Sequence, residues 1–200
     1  MTPKEDKANV LLPHSSITLT ALFYYLLKNP SCYAKLQNEL DTQLPSRDPS
    51  SLKCDIEFAQ AQKLPYLTAC IQETFRMHPA SAVLLERVVP PAGASIAGEH
   101  IAGGTVVGVS SWAVHHNKDV FGQDVNEFRP ERWLDASEEQ VRLMERSMLH
   151  FGAGNHLCLG KNISAREMYK VVPSLMRTFK VSFHCDFDYI IETFVDLGYE

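Results

Sequence analysis

Phe151-Gly152-Ala153-Gly154-Asn155-His156-Leu157-Cys158-Leu159-Gly160 sets a single cysteine in a glycine-punctuated loop. The run behind it, Lys161-Asn162-Ile163-Ser164-Ala165-Arg166-Glu167-Met168, has a helical pattern. Glycine admits positive φ and lets a flat ligand approach the main chain closely. A helix opening near Gly160 aims its free N–H groups and the positive end of its dipole back at the loop. A cysteine sulfur placed there serves as a nucleophile or a metal ligand. The competing reading is an inert buried cysteine beside an ordinary helix start, the commonest fate of a lone cysteine.

The large planar metal complex that takes one axial cysteine is heme. Phe151, Gly154, Cys158 and Gly160, at these spacings, resemble the heme-binding signature of the cytochrome P450 family, with His156 where that signature carries arginine and sometimes histidine. The resemblance implies that Cys158 is the axial ligand of heme b, iron protoporphyrin IX, in a cofactor-binding set of Phe151, Gly154, His156, Cys158 and Gly160.

The whole chain is compatible with this. Its 200 residues are 45% hydrophobic and 22% charged, enough for one sizeable core. The net charge of −5 and pI near 5.9 leave no basic footprint for nucleic acid. Five cysteines, Cys32, Cys54, Cys70, Cys158 and Cys185, are odd in number and lack paired spacing, which reads as reduced thiols rather than a disulfide framework. No apolar run approaches the ~18 residues a membrane span needs. No secretory leader is visible either.

Outward from the loop toward the N-terminus, residues 1–8 read as a disordered start. Residues 9–28 form an apolar helical stretch in which Pro13 can occupy only the first turn or act as a breaker, since proline lacks the N–H and clashes with the preceding turn. Asn29-Pro30 opens a second helix as N-cap and first helical residue, with Tyr33, Leu36 and Leu40 on one face. Residues 44–51 are a loop by composition, and a short helix around 56–62 leads to Pro65.

The helix expected over 65–78 contains Glu73-Thr74-Phe75-Arg76. Glutamate and arginine three apart share a face and can pair. Alone, such a pair is usually a solvated surface bridge worth little. Ile71, Phe75 and Met77 make this helix largely apolar, however, and Phe128-Arg129-Pro130-Glu131-Arg132-Trp133 follows before the cysteine. The family resemblance pairs these two segments: it implies that Glu73, Arg76 and Arg132 form a buried charge network locking the heme-side core, a structural role.

Between helix and loop the pattern turns to β. Residues 82–89 read as a strand, 95–102 as a hairpin broken at Gly98, and 105–111 as a further strand. Arg87 stands where the family often places an arginine that binds a heme propionate; the alternative is a surface arginine on an edge strand. His156 is a candidate for the other propionate. Residues 138–148 look like a short surface helix. The helix after the loop runs over 161–179, with Met168, Val171, Val172, Leu175 and Met176 apolar and Pro173 expected to bend it. The fold class is therefore mainly α with a small β region, an α+β chain resembling the C-terminal, heme-side part of the family fold, with 1–200 as one partial domain.

From Thr18 to about Phe183 the similarity is to fungal members of the pisatin demethylase type, carried by FYYLLKNP, GGTVVGVSSWAVHHNKDVFG and FGAGNHLCLGKNIS. The front half of that fold, with its membrane anchor and most substrate-contacting loops, has no counterpart, so the chain reads as a fragment or a truncated gene model. The family's distal helix carries an acid–alcohol pair in a glycine-containing kink that helps deliver protons. Aligned backward from Ile17-Thr18, the acid falls on Pro13, the alcohol near His14 or Ser15, and the glycine near Leu11. Ser15 is a candidate hydroxyl, and no carboxylate is present.

The resemblance implies an iron-dependent oxidoreductase of fungal secondary metabolism. It would be a heme-thiolate monooxygenase inserting one oxygen atom of O2 into a small organic substrate, impaired by truncation. Electrons would come from an NADPH-dependent reductase, because no flavin or nicotinamide motif is present. Family members usually sit at the endoplasmic reticulum membrane. Two other readings stand beside it. One is a non-catalytic relic that keeps the heme-side motifs. The other is a zinc site from His150, His156 and Cys158 with His115 or His116, although these residues lack the paired short spacings of structural zinc.

Overall fold

The computed structural model describes residues 8–45 and 56–182. Its architecture is mainly helical, with two small antiparallel sheets. Helix α1 spans Ala8–Lys28, α2 Pro30–Gln43, α3 Phe58–Ala61 and α4 Pro65–Met77. Strands β1 (Leu84–Val88), β2 (Ala94–Ile96), β3 (Glu99–Ile101) and β4 (Val106–Ser110) follow. Then come α5 (Ser111–His115), α6 (Lys118–Phe121), α7 (Arg132–Asp135), α8 (Glu138–Ser147) and α9 (Lys161–Thr178).

The core sits where α1, α2, α4 and α9 meet, with α3 against α9. Leu22 and Leu26 of α1, Leu36 and Leu40 of α2, Leu67 and Ile71 of α4, and Met168, Val172 and Met176 of α9 are all buried there. Each set recurs at helical spacing, which turns one stripe of each helix inward. Every leucine so buried is worth ~1.5–3 kcal/mol of transfer free energy. A second cluster, Ala69, Phe121, Val125, Trp133 and Met144, fixes α8 and the meander of residues 116–137 on the other side of α4.

Strand β1 pairs with β4, Leu85 opposite Val109 and Arg87 opposite Val107. The β2–β3 hairpin lies between them in sequence and turns at Ala97-Gly98, where φ is +53° and +88°.

Some local expectations need correcting. Ala8, read as part of a disordered start, already belongs to α1, while residues 1–7 lie outside the described residues. Pro13 neither starts nor breaks α1, which runs through it. It falls near the helix end, where only one ladder bond is forfeited, and the packed face further along holds the helix. Asn29 occupies the N-cap position of α2 but makes no side-chain cap; its amide donates back to Tyr25 O at 2.8 Å, closing α1 instead. Most of the 44–51 loop and nearly all of the tail after Val181 lie outside the described residues.

Candidate functional site

Helix α4 carries a buried, fully hydrogen-bonded charge cluster. Glu73 and Arg76 are fully buried, and Arg132, from the first turn of α7, is 3% exposed. Glu73 Oε1 accepts from Arg76 Nη2 at 2.8 Å, from Arg132 Nε at 3.3 Å and from the Arg129 backbone N–H at 3.1 Å. Its Oε2 accepts from Arg76 Nε at 3.0 Å and from the Trp133 indole at 2.9 Å. Arg76 spends its remaining donors on three backbone carbonyls, His115 at 3.1 Å, Val125 at 2.7 Å and Glu127 at 3.2 Å. All five guanidinium N–H groups thus have acceptors, the condition under which a buried ion pair holds.

Arg132 reaches further, to Asp124 Oδ1 at 2.5 Å, Asp124 O at 2.9 Å and the Phe121 carbonyl. Burial raises the Asp124 carboxyl, but the guanidiniums of Arg132 and Arg129 outweigh it and hold the group below its ordinary value. Glu39 of α2, itself buried, accepts from the backbone N–H groups of Tyr66 and Leu67, both at 2.8 Å. It caps the start of α4 across space, where a carboxylate suits the helix dipole.

The network continues to the cysteine loop through His115, which is fully buried at the end of α5. Its Nε2 accepts from the Leu149 backbone N–H at 2.8 Å, and its Nδ1 lies 3.1 Å from Arg76 O. Burial lowers His115 to about 4, with the Arg76 charge adding to the effect. His150 stacks on Phe75 at 4.3 Å between ring centroids, and Phe151 meets Phe75 edge-on at 5.2 Å. Burial lowers His150 to about 3.

From Phe151 the loop folds on itself. Cys158 donates its backbone N–H to Phe151 O at 2.8 Å. Gly152 has φ of +74°, and a Cβ there would lie 2.7 Å from His156 O, so only glycine fits. Gly154 also has positive φ and begins a short 3-10 turn, Gly154–His156. Gly160 is buried at the N-cap of α9, its carbonyl accepting from Ile163 and Ser164. The Cys158 side chain is exposed.

That sulfur borders a cleft of about 520 Å³. Phe75, Leu85, Phe151 and Ile163 supply apolar wall, Ser15 and Thr18 of α1 line it as well, and His156 and Glu167 stand among the polar groups. The volume is that of a small-molecule or cofactor site. Arg87 of β1 does not line the cleft; its Nη2 donates to Ala153 O in the loop at 3.3 Å. Of the residues singled out in the sequence, Glu73, Arg76 and Arg132 form one network and Ser15, Phe151, His156, Cys158 and Gly160 line one cleft, while Gly154 shapes the loop without lining it. Arg87 grips the loop from outside.

The donor set fits heme better than zinc. The described residues contain no group of three or more His, Cys, Asp or Glu able to share a metal ion, and both ring nitrogens of His115 already face backbone partners. A lone exposed thiol beside a mostly apolar, open cleft suits a planar complex needing one axial ligand. No helix among the described residues is long and apolar enough to cross a membrane.

Sequence reading passed over Trp133, Asp124 and Glu39, and considered His115 only as a zinc ligand, whereas its ring nitrogens meet the backbone of Arg76 and Leu149. Trp133 lay inside the quoted 128–133 segment and His115 inside the quoted 103–122 stretch. Glu39 had no signal, because its partners are backbone N–H groups 27 and 28 residues away.

A family model described as Cytochrome P450 matches residues 14–193. A cytochrome P450 monooxygenase of Aspergillus terreus is 45% identical over 168 residues, 84% of this chain and 34% of that protein. The ACRTS1 monooxygenase of Alternaria alternata is 44% identical over 167 residues, 84% of this chain and 44% of the relative. A pisatin demethylase of Fusarium vanettenii is 43% identical over 163 residues, 82% of this chain and 30% of the relative. The chain spans roughly a third of the length of such relatives.

Proposed function

The chain belongs to the cytochrome P450 family, and we propose that it is the heme-side portion of a heme-thiolate monooxygenase acting on a small organic substrate. The observation that carries this reading is Cys158, exposed on the wall of a 520 Å³ cleft that α1 also lines through Ser15 and Thr18. Heme b, when bound, supplies the oxygen-activating chemistry, in which O2, two electrons and two protons yield one inserted oxygen atom and one water.

The protein's own residues do the rest. Cys158 would supply the one sulfur ligand to the heme iron. Its loop is closed by the bond from its N–H to Phe151 O, so the sulfur leaves a fixed turn rather than a free strand. Gly152 and Gly154 keep the turn low, because side chains there would strain it or stand above it. Phe75, Phe151 and Ile163 give the cleft an apolar wall. His156, on the cleft wall, is the candidate for one propionate, and Arg87, held over Ala153 just outside that wall, would have to turn inward to serve the other. Glu73, Arg76 and Arg132 keep the platform from shifting, a structural part with no contact to the reacting atoms. Ser15 is the candidate hydroxyl on the α1 side of the cleft. O2, the organic substrate and an NADPH-dependent reductase are the partners this activity requires.

A second reading, a heme-binding or heme-free relic without turnover, draws on one observation. Pro13 stands at the acid position of α1 and cannot relay a proton.

The test is expression of the chain with a heme precursor, followed by the spectrum of the reduced carbon monoxide complex. A red-shifted Soret band that disappears in Cys158→Ala supports the heme-thiolate reading. A chain that holds no heme refutes it. Heme bound without any peroxide-supported substrate oxidation favours the relic.

A further inference from the structure

His115 makes three hydrogen bonds to two segments. Its carbonyl accepts from Arg76 Nη1 at 3.1 Å, its Nδ1 is 3.1 Å from Arg76 O, and its Nε2 is 2.8 Å from the Leu149 N. The partners fix the tautomer. The Leu149 N–H can only donate, so Nε2 must be the lone-pair nitrogen; the ring hydrogen therefore sits on Nδ1 and is donated to Arg76 O. A buried neutral ring is also what the lowered value of His115 indicates.

Leu149 is where the chain leaves α8 for the cysteine loop. Its own carbonyl accepts from Gly152 N at 2.8 Å, and Phe151 O accepts from Cys158 N at 2.8 Å. One continuous set of bonds thus runs from Glu73 through Arg76 and His115 to Leu149 and Gly152. The next turn of the same loop fastens Cys158. Among the described residues, no other side chain joins the segment 147–150 to the α4 network by a hydrogen bond.

We propose that His115 is a positioning residue for the Cys158 loop, its imidazole transmitting the placement of the Glu73–Arg76 network to the stretch that presents the sulfur. It touches neither sulfur nor cleft; it acts through Leu149. The functional side of this inference rests on Cys158 being the heme ligand, while the loop-positioning side stands apart from it.

The experiment compares His115→Asn with His115→Gln in the full chain as purified. An asparagine amide nitrogen reaches the place of Nδ1 and keeps the donor to Arg76 O. A glutamine carbonyl reaches the place of Nε2 and keeps the acceptor for Leu149. Backbone amide exchange is read at Leu149, Gly152 and Cys158, with Leu36 and Leu40 of α2 as the reference for overall stability. Positioning predicts that exchange at the loop amides rises at least tenfold over the reference in His115→Asn and stays within about threefold in His115→Gln. With heme bound, the red-shifted fraction of the reduced carbon monoxide spectrum falls several-fold in His115→Asn and is largely retained in His115→Gln. Loop and reference amides changing together in both variants, or no change in either, would overturn the proposal. A wild-type chain with no red-shifted band sinks the heme-ligand reading instead, and the exchange comparison still decides the role of His115.

Discussion

The Trp133 indole nitrogen lies 2.9 Å from Glu73 Oε2, the one oxygen of that carboxylate which Arg132 does not touch. An aromatic side chain thus completes a charge cluster. Trp133→Phe keeps most of the ring's packing but deletes the donor, and is expected to lower stability by about 1.5–3 kcal/mol, the worth of a hydrogen bond to a charged group. Glu73→Ala strands two buried guanidiniums and is expected to cost about 3–5 kcal/mol. Urea unfolding followed by far-UV circular dichroism ranks the two; equal losses would mean that Trp133 matters only for packing.

Glu39 predicts a more local effect. Replacing it with alanine leaves the Tyr66 and Leu67 N–H groups buried at the start of α4 without their acceptors. The expected loss is about 1–3 kcal/mol. Glu39→Gln, which retains one acceptor oxygen, is expected to recover part of it in the same denaturation assay.

The two buried imidazoles give the fold an acid-side weakness. His115 is lowered from an ordinary 6.5 to about 4, and His150 from 6.5 to about 3, both chiefly by burial. Both are neutral in the fold and take up protons first in the unfolded chain. Their contribution is therefore complete above pH ~6.5 and is withdrawn as pH falls from there toward about 4 for His115 and about 3 for His150, at up to ~1.4 kcal/mol per pH unit for each ring. His150 Nδ1 is buried with no hydrogen-bond partner among the described residues, and its ring stacks on Phe75. His150→Phe removes an unsatisfied polar atom while keeping the stack. It is expected to raise stability by about 1 kcal/mol at neutral pH and to flatten the slope of unfolding midpoint against pH by one ring's share. An unchanged slope would contradict the assignment.

Gly152→Ala forces a methyl to within 2.7 Å of His156 O at a φ of +74°. Strain of this kind costs ~1–3 kcal/mol. Because it is local to the loop, the variant is expected to lose heme retention, measured by Soret absorbance after gel filtration, with a smaller shift in the unfolding midpoint.

Ala97 offers a gain. It holds φ of +53° beside Gly98 in the β2–β3 turn, a position that asparagine tolerates better than alanine. Ala97→Asn is expected to stabilise the hairpin by about 0.5–1 kcal/mol, seen as slower exchange of the amides of residues 94–101.

The helices and the cysteine loop were legible because local signals and tertiary demand agree there. Pro30 and Pro65 sit at first helical positions, and apolar residues recur every three or four in α2, α4 and α9. The Glu73, Arg76 and Arg132 triad could be named from family likeness, whereas spacing alone offered a solvated pair. What stayed hidden is long in sequence and short in space. Glu39 meets α4 by backbone N–H groups, and His115 meets Leu149 across 34 residues. Pro13 misled in the opposite direction: propensity allowed it only in the first turn or as a breaker, whereas α1 runs through it, held by the packed face beyond.

Arg76 grips His115, Val125 and Glu127 by oxygen atoms that every amino acid possesses. The meander it organises is thus pinned by letters that are free to vary, at least where the side chain faces water, as Glu127 does. One intolerant arginine thus lets an exposed position such as Glu127 drift without the chain losing its path. A saturation library over residues 76 and 116–137 would show a dark column at 76 and at buried positions such as 121, 125, 128, 132 and 133, and a pale one at 127.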